Sequence, residues 1–181
     1  MSKVYEKFEN LKGNAPDSRS RRYISPSRIV WDSSRDGANV TNTETLLVPK
    51  EKQITLGGGS VCTLRNEAGK PHASVLVDFG REIHGSVRVY IYSVEGEGNR
   101  ANISIRLGES AQEAYTHLGV KNTTNDHANR DINWNVGFLS AMETNESGFR
   151  FACIELLDEN AAVGIKAIDG VFIFRDIDYI G

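Results

Sequence analysis

The densest gathering of residues able to do chemistry lies between positions 106 and 134. It comprises Arg106, Glu109, His117, Asn125, Asp126, His127, Arg130, Asp131 and Trp134. Three kinds of site fit these types. A Ca²⁺ site takes six to eight oxygens, and Asn125, Asp126 and Asp131 with backbone carbonyls would contribute some of them. A sugar site needs planar polar groups for hydroxyl pairs and an aromatic face for the ring's C–H surface, which Arg130, Asp131, His127 and Trp134 would supply. The third reading is structural or interfacial, with aspartate and arginine locking a loop by charge-assisted hydrogen bonds. The structural reading weighs most, sugar contact next and calcium last. The residues that would touch a carbohydrate or an interface are Arg106, Glu109, His127, Arg130, Asp131 and Trp134.

Catalytic arrangements are weaker. Glu109 with Asp126 or Asp131 would resemble a glycosidase acid and base. With 24 acidic residues in the chain, such pairings arise by chance. There is no GxSxG nucleophile elbow, no phosphate-binding GxxxxGK[ST] loop and no GxGxxG after a strand. His84 stands alone where a metal-binding jelly roll would need several histidines on one strand face. Trp31 and Trp134 would stack on sugars if exposed. However, Ile132, Trp134, Val136 and Phe138 alternate like core positions. The sequons at Asn39, Asn102, Asn122 and Asn145 read as polar turns and strands. No catalytic residue is assigned, and no metal or other cofactor is expected, Ca²⁺ being the one ion the residues would admit.

The elements that must position these groups are mostly strands. The 181-residue length suits one domain with a sizeable core. The net charge of −3 lacks the basic footprint of a nucleic-acid binder. No apolar run reaches the roughly 18 residues of a membrane span, and the N-terminus has no signal-peptide core, so the expected compartment is the cytoplasm. Cys62 and Cys153 sit in apolar runs and read as two buried free thiols, with a disulfide as the lesser alternative.

Residues 1–27 read as a short helix, with Val4, Phe8 and Leu11 on one face, followed by an extended arm. The arm carries Arg19, Arg21 and Arg22 and leads to Arg28, which together form a solvated lead-in or a docking patch. The domain proper spans 28–181. Strands are expected at 28–31, 45–48, 60–65, 73–79, 86–94, 101–107, 131–139, 149–157 and 164–174. Val87, Val89 and Ile91, and likewise Ile103, Ile105 and Leu107, show the period of two that buries one face of a strand. Turn signals at 57–59, 67–71, 95–99 and 145–148 separate the runs. Residues 110–118 read as a helix stopped by Gly119, and 119–131 as a long loop. The fold expected is all-β: a two-sheet antiparallel β-sandwich of jelly-roll or concanavalin-like type, with one or two short helices.

Three ordered segments carry a family resemblance. Asp78-Phe79-Gly80 leads into Gly85-Ser86-Val87-Arg88, Gly108-Glu109 follows the next strand, and Gly148-Phe149-Arg150-Phe151 opens a later one. Residues 20–181 thereby resemble the β-sandwich region that precedes the catalytic barrel of bacterial α-L-rhamnosidases. The resemblance implies an accessory, non-catalytic domain of a glycoside hydrolase whose inverting acid and base would lie in an (α/α)₆ barrel outside this chain. The implied partners are that barrel, rhamnose-containing glycosides and, through an uncovered apolar face, a second copy of the chain; no nucleic acid or membrane is implied. A stand-alone carbohydrate-binding module is the alternative.

Overall fold

The computed structural model describes residues 19–49, 54, 59–120 and 130–175. The helix expected at 3–11, the Gly57-Gly58 part of the first turn signal, and Asn125, Asp126 and His127 lie outside them.

The described chain forms ten antiparallel strands: β1 (Arg19–Ile24), β2 (Arg28–Asp32), β3 (Asn39–Thr41), β4 (Cys62–Arg65), β5 (Ser74–Glu95), β6 (Arg100–Gly108), β7 (Asp131–Gly137), β8 (Ser140–Glu143), β9 (Ser147–Leu156) and β10 (Ala162–Arg175). Among the described residues one α-helix, the five-residue α1 (Ala111–Tyr115), follows β6. No helix among the described residues is long and apolar enough to cross a membrane.

The two layers share their longest strand. Residues 74–78 of β5 lie between β2 and β9, and β9 continues through β6 to β7. Beyond a register shift between Asp78 and Ile83, β5 pairs with β10 on one side and β8 on the other. β10 in turn carries β4 and β1. One hydrogen-bonded ladder thus doubles over itself, and the inner faces meet in a single core. Val75, Val77, Ile103, Ile105 and Ile154 of one layer pack with Val87, Val89, Ile91, Ile165 and Ile168 of the other. This is the expected all-β sandwich, and its central strands β5 and β10 are buried on both faces over much of their length. The close approach of the neighbouring β10 demands glycine at Gly85, where a Cβ would stand 1.9 Å from the Val171 carbonyl oxygen.

Several local expectations change. The runs 73–79 and 86–94 are one strand, because the Gly80–Ile83 region bends without breaking the chain's extension. Residues 45–48 do not form a strand. Thr43–Leu47 is a 3₁₀ turn, since Asn42 takes a left-handed φ of 57° and its carbonyl accepts the Thr45 hydroxyl at 2.8 Å. Local side-chain bonding here wins over β-propensity. Phe138 falls beyond the end of β7 and is 56% exposed. The arm's extended end is itself a strand of the sheet, β1. Its arginines meet carboxylates of the same chain: Arg19 bonds Glu146 at 2.6 Å and Arg21 bonds Glu143 at 2.9 Å. Cys62 and Cys153 are buried thiols not joined in a disulfide, as expected.

Candidate functional site

On β6 and β9 the residues that point away from the core form a polar floor. Ile103, Ile105 and Leu107 face inward, leaving Ser104 and Arg106 outward; Ile154 and Leu156 likewise leave Cys153 and Glu155 outward. Arg106 is only 2% exposed. Its Nη1 donates to Glu155 Oε2 at 2.7 Å and to Ser104 Oγ at 3.3 Å, its Nη2 to Cys153 Sγ at 3.3 Å, and its Nε to the Ala114 carbonyl at 3.2 Å. A buried guanidinium is tolerated here because nearly every N–H has a partner and a carboxylate balances its charge. Burial pushes the Cys153 thiol up to about 11 despite the neighbouring arginine, so it stays protonated and unreactive at neutral pH.

The helix above this floor is short for a reason. Ser110 and Glu113 form a capping box: Ser110 Oγ accepts the Glu113 N–H at 3.2 Å and Glu113 Oε2 accepts the Ser110 N–H at 3.3 Å. At the other end, Arg106 bonds the Ala114 carbonyl and the buried Arg130 bonds the Glu113 carbonyl. Two arginines therefore take up carbonyls that a longer helix would have satisfied itself. Arg130 also donates to the Leu107 carbonyl at 3.1 Å. Arg130 is thus an internal tie between α1 and β6, which is the structural reading of its type.

Between α1, β2 and this floor lies a pocket of about 480 Å³. Trp31 and Tyr115 form one wall, edge to face with ring centroids 5.1 Å apart. Glu155 is central: His72 Nδ1 lies 3.3 Å from its Oε1, and His117 Nε2 lies 3.2 Å from its Oε2. His117 Nδ1 is also 3.5 Å from Asp131 Oδ2, and Asp131 Oδ1 accepts the Ser104 hydroxyl at 2.9 Å. Asp36, Thr116 and Val120 complete the rim.

Of the residues expected to form a site, Arg106 and His117 line this pocket, Asp131 stands behind it against His117 and Ser104, and Arg130 ties the helix beside it. Glu109 does not. It lines a separate hollow of about 200 Å³ with Glu82, His84 and Phe149, so it forms no acid–base pair with Asp131 in this pocket. Trp134 belongs to the opposite face: it pairs with the inward Ile103 and packs against the core. His127 lies outside the described residues. Among the described residues no three of His, Cys, Asp and Glu are grouped to hold a metal ion.

His72 and Glu155 escaped the sequence reading, whereas Trp31 entered it as a ring that would stack on sugar if exposed. Glu155 carried a signal, an acid interrupting the apolar run FACIELL on the same outward parity as Cys153. His72 carried none, since it reaches the pocket from a segment distant in sequence, and only the fold set Trp31 beside Tyr115.

No protein-family model and no curated protein sequence matches the chain. Solved structures do match. A rhamnosidase from Klebsiella oxytoca with rhamnose bound aligns over 93% of this chain with a TM-score of 0.52 at 13% identity. The likeness is one of fold. This chain spans 31% of that enzyme's length. A CBM32 module of AlyQ in complex with 4,5-unsaturated mannuronic acid aligns over 83% of this chain and 98% of its own, with a TM-score of 0.48 at 10% identity. A GH78 family rhamnosidase of Bacillus sp. GL1 aligns over 74% of this chain and 12% of its own, with a TM-score of 0.48 at 13% identity.

Proposed function

We propose that this chain is a carbohydrate-binding β-sandwich, non-catalytic in itself, that serves as the accessory domain of an α-L-rhamnosidase-like glycoside hydrolase. The observation that carries the proposal is the pocket beneath Trp31 and Tyr115. On its floor the buried Arg106 and the largely buried Glu155 are spent on each other, so the floor offers an ionic ligand little unpaired charge. What the pocket offers is an aromatic corner together with imidazole, carboxylate and hydroxyl groups of mixed donor and acceptor character. That combination suits a neutral ring with one apolar face and several hydroxyls. Both carboxylates nearest the cavity floor already hold partners, Glu155 with Arg106 and Asp131 with Ser104, which suits binding better than proton transfer. The rhamnosidase assignment rests on the ordered sequence motifs, and the sandwich fold shared with the Klebsiella enzyme accords with it. A stand-alone carbohydrate-binding module is the second reading, favoured by the aromatic corner that Trp31 and Tyr115 give the pocket.

Isothermal titration of the 181-residue chain with L-rhamnose and an aryl α-L-rhamnoside tests the proposal. Binding in the millimolar range or tighter is expected. Trp31→Ala weakens it by about tenfold, the loss of one stacking face. The half-exposed Tyr115→Ala weakens it in the same direction with an unchanged melting temperature. Absence of heat at millimolar sugar, or full affinity in both variants, overturns the pocket as the sugar site.

A further inference from the structure

The polar face that floors the pocket does not end at Arg106. On β6 and β7 the outward residues pair directly across the strands: Arg106 with Asp131, Ser104 with Asn133, and Asn102 with Asn135. The intervening pairs, Ile105 with Ile132 and Ile103 with Trp134, turn into the core. A polar row therefore runs the length of β6, and Asn102, Asn133 and Asn135 are all exposed. Its far end opens into a second hollow of about 540 Å³, lined by Glu97, Arg100, Asn102, Asn135, Asp158 and Glu159 among others.

The groups in that hollow are planar and held in place. Asn102 Nδ2 donates to Asp158 Oδ1 at 2.9 Å, Asn135 Nδ2 donates to Asn102 Oδ1 at 3.0 Å, and Arg100 Nη2 donates to the Asn135 carbonyl at 2.7 Å. Each amide and carboxylate still has hydrogen-bonding capacity beyond these bonds. Fixed planar groups with adjacent donors and acceptors match neighbouring hydroxyls of a sugar without losing rotamer freedom on binding. From Arg106 to Asn102 is four residues, about 13 Å along a strand. A single pyranose cannot touch both ends.

We propose that the binding site takes an oligosaccharide laid along β6, with one sugar in the Trp31–Tyr115 pocket and a later one on the Asn102–Asn135 pair. This rests on the reading of the first pocket as a sugar site. The test is calorimetric titration of the 181-residue chain with L-rhamnose and with a linear rhamnose trisaccharide. The trisaccharide binds about tenfold tighter or better, because the second hollow adds at least one net hydrogen bond. Asn135→Ala removes that gain and leaves L-rhamnose affinity unchanged. Asn133→Ala, midway along the row, lowers trisaccharide affinity alone and stands in should Asn135→Ala fail to fold. Equal affinity for the two sugars, or trisaccharide binding indifferent to both variants, overturns the extended site while leaving the first pocket standing. If neither sugar binds, the reading of the first pocket falls and this inference falls with it.

Discussion

Arg106→Met lowers the unfolding free energy by about 3–4 kcal/mol, the cost of leaving a buried charge without its partner. The loss has two parts. Glu155, whose side chain is 13% exposed, keeps its carboxylate in a poorly solvated site with only His72 and His117 beside it. The Ala114 carbonyl at the end of α1 also loses its donor. Urea unfolding of four proteins checks the first part: wild type, Arg106→Met, Glu155→Leu and the double variant. The double variant recovers at least half of the single-variant loss, because neither charge then remains buried. A double variant as unstable as the sum of the singles would mean that the ion pair is not the source. Sugar binding falls in every variant lacking Glu155, whatever its stability, since that carboxylate lines the pocket.

Asp78→Asn lowers stability by about 2 kcal/mol at pH 7, and the difference fades in acid. Asp78 sits where β5 begins to bend, with its side chain 1% exposed. Arg150 holds it with two bonds, Nε to Oδ1 at 2.9 Å and Nη2 to Oδ2 at 3.0 Å. The Gly80 N–H donates to Oδ1 at 2.7 Å and Arg28 Nε to Oδ2 at 2.9 Å. The Arg150 bonds, with the Gly80 and Arg28 bonds, outweigh burial and bring the carboxyl from 3.8 down to about 2. A carboxylate depressed in the folded state contributes fully at pH values above its unfolded pKa. The contribution declines as pH falls from about 4 and is gone below about 2. The gap between wild type and Asp78→Asn therefore closes over that window in chemical unfolding followed by tryptophan fluorescence. A gap that stays constant down to pH 2 would show that shape, not charge, ties Asp78 to the bend.

The Asp-Phe-Gly and Gly-Phe-Arg motifs that carried the family resemblance acquire a physical role from this geometry. Asp78 of the first bonds Arg150 of the second across the β5–β9 ladder. Their order along the chain was visible in the sequence, whereas their meeting was not.

The alternation of apolar residues at 86–94 and 101–107, with many short strand-like runs separated by turn signals, was enough to read an all-β sandwich from the sequence. A period of two states which side of a strand is buried wherever that strand ends up. The same parity already placed Arg106 outward. It also put Trp134 among the core positions, in contest with its reading as a stacking ring. The lack of catalytic and nucleotide motifs was equally legible. Tertiary structure alone decided three things: that two apparent strands are one bent strand, that Glu109 stands apart from Asp131, and that Trp31 and His72 join Arg106, His117 and Glu155 around one pocket. These depend on contacts between residues tens of positions apart, and on how β5 bends at Gly80–Ile83 to fold one ladder into two layers. Local periodicity sets the face of each strand. Which faces become neighbours is set by the bend and by strand pairing, and the pocket exists only where those neighbours meet.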